Sequence, residues 1–285
     1  MSKVSKIINM INVKAKIIKN AWIKHNFFHC VISASELAKR AIPGQFINVR
    51  INDSLTPFLR RPFSIYNAQD GRVEFIYEIV GEGTRLLSSR KKGEYLDVIG
   101  LLGNGFEINT RQDAQNILVA GGMGVAPLFF LAKRIVGRKG IPKPLVLLGA
   151  KDKGHLLCED EFKRLGCRIK VATDDGTKGF KGYVSELLKT IILPNNSGQA
   201  INYDVQRTKY EERSTTIYAC GPRPMLKEIA LIAKEADVSV QMSLEEHMAC
   251  GVGACWGCVV LTRKGFKRVC KDGPVFEAKD LLWQN

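Results

Sequence analysis

Cys250, Cys255, Cys258 and Cys270 lie within 21 residues, spaced Cys-x4-Cys-x2-Cys-x11-Cys. Four thiolates close the ligand shell of a [2Fe–2S] cluster, and this spacing with a distant fourth cysteine is the plant-type arrangement. Gly251, Gly253 and Gly257 interleave the ligands. A loop wrapped around a cluster needs unusual dihedrals and close backbone approach, which glycine permits, and its N–H groups can donate to the sulfurs. A structural zinc site is the alternative, although zinc ligands usually come as two short Cys pairs and here there is one. Cys30, Cys158, Cys167 and Cys220 are scattered and read as small buried hydrophobes.

Three further groupings favour anionic ligands. Ala120-Gly121-Gly122-Met123-Gly124-Val125-Ala126-Pro127 stands between an apolar run and a helical pattern. Gly122 and Gly124 permit a tight turn close to a ligand, and Pro127 suits the first helical turn, whose N-terminus faces phosphate. The run is Gly-x-Gly-x-x-Pro, not Gly-x-Gly-x-x-Gly, and a plain strand-to-helix turn is the other reading. Arg60-Arg61-Pro62-Phe63-Ser64 and, later, Gly81-Glu82-Gly83-Thr84 form the second grouping. Arginine pairs bidentately with phosphate, and Gly83-Thr84 opens a second anion-friendly helix start, so together they can clamp a pyrophosphate; an arginine pair on a barrel rim is the structural alternative. The third is Cys220-Gly221-Pro222 at the end of the last expected parallel strand, where ligands of such sheets bind. Cys220 there either touches a nicotinamide or is a small buried residue. Asp174-Asp175-Gly176 ends another strand, as a dinucleotide contact or a turn.

The elements that must position these residues fall into three stretches. Short alternating segments at 13–18, 27–33, 45–51, 63–67, 72–80 and 94–99, parted by turn residues, predict a small antiparallel barrel. From residue 112, strands at 117–120, 144–149, 168–173 and 216–220 alternate with helices to about 138, at 159–165, 183–192 and 223–236. That alternation predicts a doubly wound parallel sheet. Residues 243–285 are rich in cysteine and glycine with few apolar anchors, so a metal centre is expected to hold them. The expected organisation is a tail at 1–12, a barrel domain at 13–111, an α/β domain at 112–240 with a surface insertion at 193–214, and a cluster domain at 241–285.

The 285 residues, 45% hydrophobic and 25% charged, suit about two packed domains and exclude disorder and collagen-like chains. No apolar run approaches the ~18 residues of a membrane span, and residues 1–24 lack the pattern of a signal peptide, so a cytoplasmic protein is expected. Of the net charge of +15, residues 1–50 hold +8, with Glu36 as their one acid. A solvated basic face is the expectation, since no aromatic-interleaved basic motif points to nucleic acid. No Ser-His-Asp set or paired carboxylates appear, and His25, His29, His155 and His247 lack metal-ligand spacing.

Arg61-Pro62-Phe63-Ser64, Gly83-Thr84, Gly122-x-Gly124-x-x-Pro127 and Cys220-Gly221-Pro222, in that order, resemble the ferredoxin–NADP reductase superfamily. The tail from Ser243-Leu244-Glu245-Glu246 through the four cysteines to Lys271-Asp272-Gly273-Pro274 resembles, more particularly, the electron-transfer subunits of class 1B dihydroorotate dehydrogenase. The resemblance covers about residues 13–285; the basic tail and the insertion are longer than its pattern. It implies an FAD-binding β-barrel, an NAD-binding α/β domain and a C-terminal [2Fe–2S] domain. It implies FAD contacts at Arg61, Pro62, Phe63, Ser64, Ile76, Tyr77, Glu78, Gly83 and Thr84. It implies cluster ligation by Cys250, Cys255, Cys258 and Cys270. NAD contacts are expected at Gly122, Gly124, Pro127, Cys220 and Gly221. The implied partner holds FMN and oxidises dihydroorotate, in a heterotetramer with two copies of each chain. Other relay subunits, of a ferredoxin:NADP oxidoreductase or a sulfide dehydrogenase, are the alternative within the superfamily. A zinc-stapled binding protein is the alternative outside it. Nicotinamide exchanges hydride and iron–sulfur clusters pass single electrons, so a flavin belongs between them. NADH is expected over NADPH, because no arginine cluster follows the second parallel strand; Lys151 and Lys153 are the nearest cations.

Overall fold

A computed structural model of the chain describes residues 10–54, 56–193 and 214–283. Nearly all of the expected basic tail and of the insertion at 193–214 lies outside them. Seven antiparallel strands form the first sheet: β1 (Ile11–Lys24), β2 (Phe27–Ser33), β3 (Phe46–Arg50), β4 (Arg61–Ser64), β5 (Asn67–Gln69), β6 (Arg72–Glu78) and β7 (Tyr95–Leu102). Their order is β4-β3-β7-β1-β2-β6-β5, so the sheet is a curled half-barrel with β4 and β5 at its edges. Alternation fills its interior: Ile47, Val49 and Ile51 point in with Ile17, Ile32 and Val98. Phe63 on β4 stacks on Phe75 of β6 at 4.8 Å and so packs the curl where hydrogen bonding stops. β1 runs beyond the expected 13–18 because irregularities at Ile17/Lys19 and Trp22/Lys24 reset its register and hide the alternation. A helix absent from the sequence reading, α1 (Ser35–Arg40), plugs one end of the sheet with Leu37 and Ala38. The helix α2 (Glu82–Ser89) follows β6.

The second sheet has the order β11-β10-β9-β8-β12-β13-β16. Its strands are β8 (Gln115–Gly121), β9 (Leu145–Ala150), β10 (Arg168–Thr173), β11 (Phe180–Lys181), β12 (Thr215–Cys220), β13 (Ser239–Ser243) and β16 (Val275–Glu277). All ladders but β13–β16 are parallel. The crossover helices are α3 (Val125–Val136), α4 (Glu159–Arg164), α5 (Val184–Ile192) and α6 (Arg223–Glu235). Strand order reverses between β8 and β12, which puts a ligand crevice outside Gly121 and Cys220. The expectation that 216–220 is the last parallel strand is corrected: β13 pairs in parallel outside it. That strand, Ser-Val-Gln-Met-Ser, is half polar and carries no continuous apolar signal.

The C-terminal stretch adds a hairpin of β14 (Val259–Thr262) and β15 (Gly265–Arg268), then α7 (Val269–Asp272). Its apolar residues have no core of their own. Val260, Val269 and Leu281 join one cluster with Phe46 and Leu102 of the first sheet and Ile217 and Met242 of the second. Burial at about 25 cal/mol per Å² therefore anchors this segment alongside any metal.

Candidate flavin cleft and iron–sulfur centre

A cleft of about 1160 Å³ opens between the two sheets and the C-terminal segment. Every residue the resemblance gave to FAD lines it: Arg61, Pro62, Phe63 and Ser64 from β4, Ile76, Tyr77 and Glu78 from β6, and Gly83 and Thr84 from α2. The two arginines separate in role. Arg60 donates to the Asp97 carboxylate at 2.7 Å and to its carbonyl at 2.9 Å, as the rim reading has it. Arg61 makes no ion pair among the described residues, and its guanidinium lies over Gly83. A Cβ on Gly83 would stand 2.6 Å from Arg61 Nε, so glycine is what lets strand and helix start close on one another. Thr84 Oγ1 accepts from the Val80 and Gly81 N–H groups and fixes that first turn. The amides that follow precede the helical ladder and remain free for an anion. Tyr77 is anchored by its hydroxyl, which donates to Asn20 Oδ1 at 3.0 Å.

The opposite wall of the cleft was not assigned to flavin from sequence. It is Ser243–Ala249 together with Gly257 and Pro274, the segment that leads into and supports the cysteine loop. Among the described residues Glu245 makes no ion pair, and burial raises its carboxyl above the usual range.

The four cysteines lie on the loop after Ala249 and on α7, with Cys258 and Cys270 buried, Cys250 half-buried and Cys255 exposed. Amides aim at the sulfurs: Val252 N–H to Cys250 at 3.5 Å, Gly257 N–H to Cys255 at 3.4 Å, Cys270 N–H to Cys258 at 3.4 Å. Burial raises the Cys250 thiol, but the Cys255, Val252 and Ala254 amides outweigh it and bring it down to about 6. Burial and the neighbouring Cys258 sulfur push Cys270 up. Negative sulfurs crowded in this way are relieved by cationic iron, so the donor set fits the cluster. Gly251 and Gly253 have φ of +69° and +83°; Gly257 does not, and the third left-handed residue is Trp256 at +57°. Arg268, also missed, covers the Trp256 ring at 4.5 Å, donates to the Gly253 carbonyl at 2.9 Å and pairs with Asp272 at 3.0 Å.

At the crevice of the parallel sheet, the glycines divide the work. Gly122 has φ +52° with open space beside it. Gly124 is a packing glycine: a Cβ there would meet the Cys220 carbonyl oxygen at 2.0 Å. Gly221, at φ +156°, packs against Gly121. Pro127 is buried in the first turn of α3. Cys220 is 1% exposed and does not line the cleft; burial pushes its thiol well up, so it is a neutral side chain beside Ser243. Asp175 accepts from Thr177 N–H and Oγ1, and the Asp174 and Asp175 amides donate to the Ala150 and Lys151 carbonyls, so Asp174-Asp175-Gly176 is a turn tied to the end of β9.

Comparison with known proteins decides between the readings. The family model for the iron–sulfur cluster binding domain of dihydroorotate dehydrogenase B matches residues 245–282, and that for the oxidoreductase NAD-binding domain matches 118–230. The electron transfer subunit of dihydroorotate dehydrogenase B (NAD+) from Desulforamulus reducens is 37% identical over 95% of this chain and 98% of its own. The corresponding subunit from Fusobacterium nucleatum is 39% identical over 92% and 95%. The chain belongs to the electron transfer subunits of NAD+-linked dihydroorotate dehydrogenase B. It is thus an oxidoreductase subunit of the flavin and iron–sulfur type, with FAD, a [2Fe–2S] cluster and NAD as its redox groups. Among solved structures, that of an NADH-dependent reduced ferredoxin-NADP oxidoreductase is 29% identical over 95% of this chain and 90% of its own, with a TM-score of 0.78. A ferredoxin NADP+ reductase from Neisseria gonorrhoeae, at 20% identity, covering 79% of this chain and 91% of its own with a TM-score of 0.62, shares the fold. The family comparison removes the zinc-stapled alternative.

Proposed function

We propose that this subunit passes electrons between NAD+ and a partner that bears FMN and converts dihydroorotate to orotate. The overall change is dihydroorotate plus NAD+ to orotate plus NADH and a proton. The observation that carries the reading is the shared wall: the segment leading into the cysteine loop also lines the flavin cleft. FAD and the cluster, when bound, exchange hydride with nicotinamide and pass single electrons onward, respectively.

This chain's own residues bind and orient. Arg61 and the α2 start hold the pyrophosphate; Phe63, Ser64 and the strand 76–78 hold the flavin body. Gly122, Gly124, Pro127, Cys220 and Gly221 shape the crevice that presents nicotinamide to it. Cys250, Cys255, Cys258 and Cys270 ligate the irons, and the amides of Val252, Gly257 and Cys270 stabilise their thiolates. No described helix is long and apolar enough to cross a membrane; by the resemblance, the assembly is cytoplasmic and holds two of each chain. The domains are taken as 13–111, 112–240 and 241–285 after a tail at 1–12, although β1 begins at Ile11 and β13 runs across the 240/241 bound.

Reconstitution tests the proposal. The isolated holo-subunit should reduce dyes with NADH and leave dihydroorotate untouched. Adding the FMN-bearing dihydroorotate dehydrogenase should yield a stable complex that reduces NAD+ with dihydroorotate. Turnover of dihydroorotate by the isolated chain, or failure to bind that partner, overturns it. The likeness to the ferredoxin-NADP oxidoreductase structure favours a second reading, which predicts instead complex formation with the large subunit of such an enzyme.

A further inference from the structure

Along β3, residues alternate between two environments. Ile47, Val49 and Ile51 enter the half-barrel, whereas Phe46 on the other face joins Leu102, Cys258, Val260, Val269 and Cys270. The outer face of β3 and β7 is therefore a floor on which the cysteine loop rests. The buried polar residue of that floor is Asn48. Asn48 is 1% exposed, its Nδ2 donates to the Cys250 carbonyl at 3.2 Å, and its Oδ1 has no partner.

An amide in such a place carries a cost. Burying a polar group with one unmet acceptor is unfavourable, and an apolar side chain of similar shape would avoid it. The loop is moulded to the amide: a Cβ on Gly251 would stand 2.4 Å from Asn48 Nδ2, so the first loop residue after Cys250 must be small where Asn48 lies. On the other side, Asn48 is the cross-strand partner of Pro62, within the Arg61–Ser64 strand that lines the flavin cleft. One side chain thus links a flavin-lining strand to the carbonyl of the first cysteine.

We propose that Asn48 is the positioning residue that locks the cysteine loop to the flavin sheet, fixing Cys250 relative to the strand Arg61–Ser64. The contact is directional: it sets the orientation of the Cys250 carbonyl, which the apolar packing of Phe46 and Leu102 against the loop does not specify. The inference rests on the reading of Cys250 as a cluster ligand.

The test uses the full holo-subunit. Asn48→Leu removes the donor while filling the space; Asn48→Asp keeps the shape and sets an acceptor against the Cys250 carbonyl. Release of iron to a chelator, which requires the loop to open, should be roughly 5- to 10-fold faster in Asn48→Leu, the change expected for one lost neutral hydrogen bond, and faster still in Asn48→Asp at neutral pH. The electron paramagnetic resonance signal of the reduced cluster should shift or broaden in both. FAD content and flavin bleaching by NADH should stay at wild-type values. Should Asn48→Leu fail to fold, the shape-preserving Asn48→Asp carries the test. Wild-type iron release and an unshifted signal in the folded variants overturn the proposal, and so does parallel loss of FAD and iron, which would make Asn48 a support of the flavin sheet. Absence of iron from the wild-type chain refutes the ligand reading instead.

Discussion

Replacing Arg61 with alanine separates two arginines that are adjacent in sequence and different in use. Arg61 stands in the cleft without an acidic partner, over Gly83, beside the free amides of α2. A charge-assisted, bidentate contact to phosphate is worth about 1.5–3 kcal/mol, so Arg61→Ala should weaken FAD binding roughly 10- to 100-fold. The apoprotein should keep its stability, because no described ion pair is lost. Arg60→Ala gives the reverse pattern. It frees the Asp97 carboxylate and carbonyl in a partly buried site and leaves Asp97 with neither oxygen satisfied, since Oδ1 already lacks a partner. That should cost about 1–3 kcal/mol of stability with little effect on flavin affinity. Gly83→Ala should reproduce the Arg61 phenotype in part, by pushing the guanidinium away. Flavin fluorescence titration of the apoproteins reads the affinity and thermal melts read the stability. Flavin affinity unchanged in Arg61→Ala, or lost in Arg60→Ala alone, would refute the assignment.

Cys258→Ser should remove iron and loosen residues 243–285, with FAD retained; metal analysis and the visible spectrum check it, and zinc in place of iron in the wild type would contradict it. NADH should be preferred over NADPH in dye reduction, because Lys178 is held by Glu159 at 2.5 Å while Lys151 and Lys153 are lysines rather than a bidentate arginine cluster; equal NADPH turnover refutes this. Burial raises the Glu74 carboxyl, but hydrogen bonds from His29 and Asn67 and the nearby Lys133 leave it below its ordinary 4.5. Its ionised form therefore stabilises the fold above that value and the gain is lost as pH falls through the lowered one. Glu74→Gln should melt earlier at pH 7, the gap closing below pH 4.5. Trp256, 53% exposed and held under Arg268, should lie at the partner face, so Trp256→Ala should weaken the complex or slow transfer to it while NADH–dye activity stays.

Where sequence alone sufficed, a local periodicity or a spacing carried the signal. The run 168–173 is a strand at its expected bounds, paired along its whole length with the apolar run of β9. The flavin-lining residues were legible as a motif order, and all nine meet in one cleft. What was hidden depends on contacts distant in sequence. β13 and β16 are short; β13 becomes a strand because β12 offers it an edge, and β16 because β13 offers the next. Asn48 reads as an ordinary strand residue until Cys250, 202 positions later, lies above it. The wall at Ser243–Ala249 carries no ligand chemistry of its own; position, not residue type, brings it to the flavin. Gly124 carries a packing demand that its residue type does not announce. Glycine invites a reading of close ligand approach, yet Gly124 is small because the Cys220 carbonyl needs its space.

The same long-range dependence argues for how the redox groups keep their order. A cluster segment with its own core could be carried on a linker, and its distance from the flavin would then vary. Here Val260, Val269 and Cys270 share one apolar cluster with both sheets, and β16 extends the NAD-binding sheet itself. The Asn104–Pro274 bridge and the Asn104 amide on the Asp272 carbonyl, at 2.9 Å, tie the end of α7 to the loop that leaves β7. The two sheets are joined in turn by Lys133 of α3, which reaches Asn67 at 3.0 Å beside the Glu74–His29 pair, and by the Tyr66–Phe129 stack at 4.5 Å. Interiors packed to this density resist sliding. The cysteine loop is consequently packed against both sheets at once, and that packing opposes any change in its distance from the flavin cleft.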